Sequence, residues 1–237
     1  MHRQSQHAPR FVFVNIRGAY LKGIDSTGKV EVQMRTIVGK TDSRTPTMDT
    51  YATSIVTNPY WNVPKSIAIR EMLPKVLEDE AYLTRNRIQI IDKEGQVVDP
   101  SEVKWKKIEK GKDFEYRFRQ ETGEDNSLGL LKVEIKNPLA IYLHDTNARY
   151  LFAGDERWRS HGCVRVQKPA DLANFMAGKK MLTDDFFTEP DTTARPPKWN
   201  KLENRIPVFL FYLGADVNEK GAIVYFDDVY KQTKDKV

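Results

Sequence analysis

A single cysteine, Cys163, stands in a chain of 237 residues. One thiol cannot close an internal disulfide, so no cross-linked framework holds this chain and cysteine usage leaves the redox compartment open. No stretch reaches the roughly 18 apolar residues of a membrane-spanning helix, and the opening MHRQSQHAPR lacks the apolar core of a secretory signal. No membrane segment is therefore expected: either the protein is cytosolic or its targeting segment lies outside this sequence. Internal repeats and biased tracts are missing too, which excludes solenoid and fibrous architectures. Charge of one sign is not concentrated either. The net charge of +5 is spread over 38 Lys and Arg against 33 Asp and Glu, with one local run at Lys104, Lys106, Lys107 and Lys110. Aromatics interleaved with basic residues are localised nowhere, so no nucleic-acid partner is expected, although a mildly basic surface suits an anionic polymer.

What is present is the balance of a globular protein, 40% hydrophobic and 30% charged with 13 glycines and 12 prolines. Residues 1–10 read as a disordered tail. FVFVNI, YLKGIDSTGK and VEVQMRTIVG then read as a hairpin, with Gly28-Lys29 and Gly39 punctuating β-branched runs. The stretch TSIVTNPYWNVP, with Tyr60 and Trp61 among prolines, reads as an irregular edge. Residues 66–83 switch to helical spacing, with Ser66 as a cap and Pro74 able to begin a second short helix. RIQIIDKEGQVVD reads as a small hairpin, and EYRFRQ follows the lysine run, so 66–118 is an excursion with its own local structure. LKVEIKNP and AIYLHD read as strands, KPADLANFMAGKKML as a helix, and the chain ends in two strands around the Asn218–Gly221 turn. The fold class is mainly β with some α, without a βαβ series.

Chemistry concentrates around RSHGCVRV at 159–166. A thiolate is a good acyl acceptor when a histidine lies within hydrogen-bond reach and backbone N–H groups hold the oxyanion. Of four histidines, His2 and His7 fall in the tail, leaving His144 and His161. In extended backbone His161 and Cys163 run parallel, their Cα atoms roughly 6.5 Å apart. Facing residues on antiparallel strands have Cβ atoms about 4.5–5.5 Å apart. If AIYLHD pairs in that way with the cysteine's strand, His144 is the base and His161 a supporting neighbour. A backbone carbonyl or Thr146 serves better than Asp145 to orient the imidazole. Gly162 lets the chain turn so that the N–H groups of 162 and 163 converge on an oxyanion. Arg165 is read either as the partner of a substrate carboxylate or as one arm of an internal ion pair. Two blander readings compete: an inert buried thiol, and a zinc site of His144, His161 and Cys163 completed by Asp155 or water. The H-x-C spacing is not a usual zinc pair, and neither metal nor cofactor is expected.

These residues also carry a resemblance. YLHDT at 142–146, followed nineteen residues after its histidine by the cysteine of SHGCVRV, resembles the active-site signature of the L,D-transpeptidase (YkuD-type) catalytic domain. RTIVGKTDSRTP, VTNPYWNVP, NSLGLLKVEI, KPADLANFM and IPVFLFYLGADVNEKGAIVYFDDVY resemble stretches of the larger YcbB-like members. NIRGAYLKGID and Thr122 depart from that pattern, away from the chemistry. The resemblance implies a β-sandwich catalytic domain over 11–65 and 119–237, with an inserted capping subdomain over 66–118. It implies a cysteine acyl-enzyme mechanism in which Cys163 attacks tetrapeptide stems of peptidoglycan, D-alanine leaves, and a second stem's amine completes a 3→3 cross-link. His144, His161 and Gly162 would assist, and Tyr142, Trp61, Thr146, Ser160 and Arg165 would contact substrate, Trp61 having an alternative core role. Donor and acceptor stem peptides, carbapenem inhibitors and a periplasmic or envelope location are implied as well. The alternatives are an L,D-carboxypeptidase, an amino-acid exchanger or amidase, and a non-catalytic wall-binding module.

Overall fold

Alternation of apolar and polar residues, rich in β-branched and aromatic side chains, gives this chain its strands. The computed structural model describes residues 10–79, 81–105, 108, 114–188 and 195–232. Residues 1–9 of the expected tail lie outside them, as do Lys106, Lys107 and Lys110; Arg10 already belongs to the first strand. β1 (Arg10–Asn15), β2 (Tyr20–Asp25) and β3 (Val30–Gly39) run antiparallel in succession, turning at Gly28 with φ 89° between β2 and β3. β4 (Met48–Thr57) leads into an insertion that begins at β5 (Trp61–Asn62).

The insertion carries α1 (Lys65–Ile67), a π-helical turn over Ala68–Met72, α2 (Leu73–Glu78), α3 (Ala81–Arg85), and then β6 (Ile88–Ile91), β7 (Val97–Val98) and β8 (Arg117–Gln120). Pro74 explains the π turn. It has no N–H to give to the carbonyl four residues back, and at this point the ladder widens so that Leu73 N–H donates to Ala68 O. Ser66, expected as a cap, lies inside α1; Pro64 holds the cap position, its fixed φ of −56° leading into the helix. β5, β8, β6 and β7 pair in that order as a separate four-stranded sheet. Leu73, Val76, Leu83, Ile90 and Phe118 are buried in a core of their own, separate from that of the main sheet.

The chain then returns through β9 (Leu131–Ile135), β10 (Tyr142–His144), β11 (Trp158–Ser160), β12 (Val164–Val166), α4 (Pro169–Ala177), α5 (Asp185–Thr188), β13 (Lys198–Phe211) and a terminal hairpin of β14 (Ala215–Val217) and β15 (Ile223–Tyr225). Nine strands form one sheet in the order β11-β3-β12-β10-β9-β4-β13-β1-β2, and β2 pairs back onto β3, so the sheet closes on itself. The expected two-layered β architecture is thus one continuous sheet folded over its core. Leu131, Val133 and Ile135 of β9, Leu143 of β10, and Val164 and Val166 of β12 point into that core, where Leu172, Phe175 and Met176 of α4 pack among them.

One expectation about the site fails. β10 and β12 pair in parallel, Leu143 with Val164 and His144 with Arg165, not antiparallel. A parallel neighbour requires a crossover of a dozen or more residues, and the segment between them supplies it with a 3-10 turn at Arg149–Ala153 and β11. The alternation survives this change. Leu143 and Val164 face the core, while His144 and Arg165 share the opposite face, with Tyr142 and Cys163 two residues before them in phase. Leu143 is wholly buried, so Leu143→Ala is expected to lower unfolding stability by about 2–5 kcal/mol, measured by urea titration; a loss under 1 kcal/mol would show that the core face has been misplaced.

Candidate active site

A cleft of about 520 Å³ runs between the chemical face of β10 and β12 and the insertion. Leu139–Tyr142, His144, Ser160, His161, Cys163 and Arg165 line one wall; Trp61, Arg70, Glu71, Lys75, Tyr82 and Asn86 line the other. His144 is buried, and its Nδ1 lies 2.5 Å from the carbonyl oxygen of Asp145. A carbonyl only accepts, so Nδ1 carries the proton and Nε2 keeps its lone pair. The Asp145 carboxylate fixes that carbonyl, accepting from Leu130 N at 3.0 Å and from Arg149 Nη2 at 2.8 Å. Of the two orienting groups expected, the backbone carbonyl is the one in place. Thr146 is buried with its Oγ1 accepting from Ala148 N, and it is not among the cleft residues: its hydroxyl caps the local turn.

The turn that presents Cys163 is held from beneath. Ser160 Oγ donates to Cys163 O at 2.6 Å and accepts from Gly162 N at 3.1 Å, while Thr45 Oγ1 donates to Gly162 O at 2.8 Å and accepts from Gly39 N. Gly162 adopts φ 116°, a conformation that disfavours any side chain. The expected pair of oxyanion donors is altered as a result: Gly162 N–H is spent on Ser160, because the buried hydroxyl sits beneath it, leaving the N–H of Cys163. Ser160 therefore shapes the turn. Cys163 is partly exposed, and its Sγ lies 3.7 Å from Ala140 O, with Tyr142 N–H directed at it.

His161 and Cys163 do not converge. His161 Nε2 lies 2.7 Å from Glu71 Oε1 of the insertion. Tyr142 is half-buried on the cleft wall, with the Lys132 ammonium 4.5 Å from its ring centroid. Trp61 lines the cleft and packs on the insertion's core. Arg165 forms no internal ion pair among the described residues, and its Nε is buried without a partner. No group of three or more His, Cys, Asp or Glu that could hold a metal occurs among the described residues, and no helix there is long and apolar enough to cross a membrane.

The model of the YkuD L,D-transpeptidase catalytic domain matches residues 9–210, most of the chain. This chain belongs to that family. A Haemophilus influenzae protein bearing a provisional L,D-transpeptidase name is 37% identical over 223 residues, which is 92% of this chain but 44% of that protein, so the chain spans less than half of this relative. Among solved structures, the L,D-transpeptidase from Mycobacterium smegmatis is 12% identical with a TM-score of 0.42, covering 86% of this chain and 59% of that one. The Enterococcus faecium L,D-transpeptidase catalytic domain acylated by ertapenem is 12% identical with a TM-score of 0.36, covering 86% and 97%.

In this YkuD domain the electrostatics keep both central groups neutral at rest. Burial pushes the His144 imidazole down to about 3, Arg165 and Lys132 add to that, and the carbonyls of Asp145 and Leu128 oppose it. Burial raises the Cys163 thiol above its ordinary value, with Tyr142 N–H and the Arg165 and Lys132 charges pulling the other way. Of the insertion's contributions, Arg70, Glu71 and Lys75, only the last two had a sequence signal, a spacing of four on a helical stretch, which reads equally as a solvated surface. His144 also governs acid stability. The unfolded imidazole takes a proton below about 6.5 that the folded ring refuses until about 3, so its contribution is present above 6.5 and is lost as the pH falls toward 3. Between pH 7 and pH 4 the Tm of the wild type is expected to fall more steeply than that of His144→Gln; parallel Tm curves would contradict a buried neutral ring.

Proposed function

We propose that this domain is a cysteine-dependent peptidoglycan L,D-transpeptidase of the YcbB-like subgroup, with the insertion acting as its capping subdomain. What supports the reading is one juxtaposition: a thiol and a buried, Nδ1-protonated imidazole share the chemical face of two paired strands and open on the same cleft. Substrate entry displaces water from the cleft, and His144 Nε2 takes the Cys163 proton as sulfur attacks the carbonyl carbon. The imidazolium is then stabilised by the Asp145 and Leu128 carbonyls. As the tetrahedral adduct collapses, the C–N bond breaks, D-alanine leaves with the proton from His144, and a thioester remains on Cys163. The amine of a second stem attacks that thioester and gives its proton to His144; the C–S bond breaks, His144 returns the proton to the departing sulfur, and the 3→3 link and the resting thiol are left. Arg165 is the carboxylate anchor: it is half-buried on the cleft wall with its Nε enclosed and unpartnered, a donor left for a ligand to satisfy. The substrate assigns the domain to the periplasm or cell envelope, and a carbapenem, which presents an acyl group to the same thiol, is expected to trap the enzyme.

Mass spectrometry of the protein incubated with disaccharide-tetrapeptide, and separately with ertapenem, tests this. A covalent adduct lost in Cys163→Ala and at least 100-fold slower in His144→Ala is expected for base catalysis, with a dimeric product from the tetrapeptide. Tripeptide alone would mean hydrolysis, and well-folded protein with neither adduct nor turnover would leave only a wall-binding role. Slower acylation in His161→Ala than in His144→Ala would overturn the choice of base.

A further inference from the structure

Outside the reacting pair, a side-chain contact crosses the cleft. His161, two residues before the nucleophile, meets Glu71 of the π-helical turn at 2.7 Å, with the two side chains 36% and 45% exposed. The turn carrying His161 does not require this contact. Ser160, Gly162 and Cys163 are tied down by Ser160 Oγ and Thr45 Oγ1, and Lys40 N donates to Ser160 O. That network is buried and belongs to the closed sheet, whereas Glu71 belongs to a unit with its own core and its own four-stranded sheet. Of the two ends of this hydrogen bond, then, the catalytic turn is the fixed post and the insertion is the part being located. A π turn interrupts the regular helix at just this point, and such turns bring side chains out of helical phase. Glu71 is flanked on the same cleft wall by Arg70 and Lys75, two cations on the side opposite Arg165.

We infer that Glu71 is a positioning residue: by pairing with His161 it pins the insertion over the cleft, and so sets where Arg70 and Lys75 meet the carboxylates of a peptide substrate. His161 is accordingly the pin's receptor, not a proton carrier. Cys163 Sγ contacts Ala140 O and Tyr142 N–H on the β10 side, while the His161 ring is turned to the insertion. The assignment of peptide carboxylates rests on the transpeptidase reading; the pinning does not.

Three measurements on the full chain separate these. In amide hydrogen exchange, Glu71→Gln and His161→Gln are each expected to speed exchange across residues 66–78 and to leave 160–166 unchanged, with the double variant no faster than either single one; unchanged exchange at 66–78, or additive effects, would overturn the pin. In kinetics with disaccharide-tetrapeptide, Glu71→Gln is expected to raise KM roughly two- to fivefold, the size of a half-exposed polar contact to a carboxylate, with kcat unchanged and Glu71→Asp restoring part of the affinity. Iodoacetamide alkylation of Cys163 should proceed at the wild-type rate in both single variants. A kcat loss, or slowed alkylation in His161→Gln, would mean that His161 takes part in the chemistry and would overturn the positioning role. If the wild type forms no thioester with the tetrapeptide, the transpeptidase reading falls, and the exchange result still decides whether Glu71 pins the insertion.

Discussion

The parallel pairing of β10 with β12 is the constraint from which the rest of this domain follows. With side chains alternating every residue, pairing Leu143 with Val164 commits one face of both strands to the core. The same register leaves His144 and Arg165 side by side on the other face, with Cys163 in phase just before β12. A slip of one residue would bury the imidazole and guanidinium in the apolar core and expose Leu143 and Val164. Core packing and active-site alignment are therefore one requirement, and the hydrophobic term that stabilises the sheet also orients the chemistry.

Electrostatics on that face work against ionisation at rest. Burial keeps the ring and the thiol neutral, and two backbone carbonyls wait for the imidazolium that proton transfer would create. Such groups need little rearrangement when charge appears, which is the economy of a preorganised site. The buried Asp145 carboxylate has a supporting part. It is tied to Leu130 N and Arg149 and holds the peptide whose carbonyl fixes the His144 tautomer. Gly129 is required beside it, because a Cβ there would come within 2.4 Å of the Asp145 carboxylate.

Much of this was legible in the residues. LKVEIKNP and AIYLHD were readable as strands, and with two histidines beyond the first ten residues the choice of base was narrow. Gly162 announced a turn that no side chain could follow. The direction of β12 was not legible, because it depends on a crossover whose 3-10 turn at Arg149–Ala153 has no strong local signature. Nor was the fate of Gly162 N–H, since whether it faces an oxyanion or Ser160 Oγ depends on a buried rotamer. Thr146 illustrates the same limit: adjacency in sequence suggested the cleft, and the turn took its hydroxyl for Ala148 N. Glu71 was the least visible, for a charged residue on a short amphipathic helix becomes meaningful only when tertiary packing brings it to His161.

The chemistry of this site turns on His144 being a neutral imidazole that carries its proton on Nδ1 and is poised to receive another on Nε2. Nitrogen-15 NMR of the histidine rings, followed from pH 8 to pH 4.5, reads that state directly. The His144 ring should keep the Nδ1–H pattern throughout this range, titrating only near 3. A ring that becomes imidazolium near 6.5, or one that carries its neutral proton on Nε2, would contradict it.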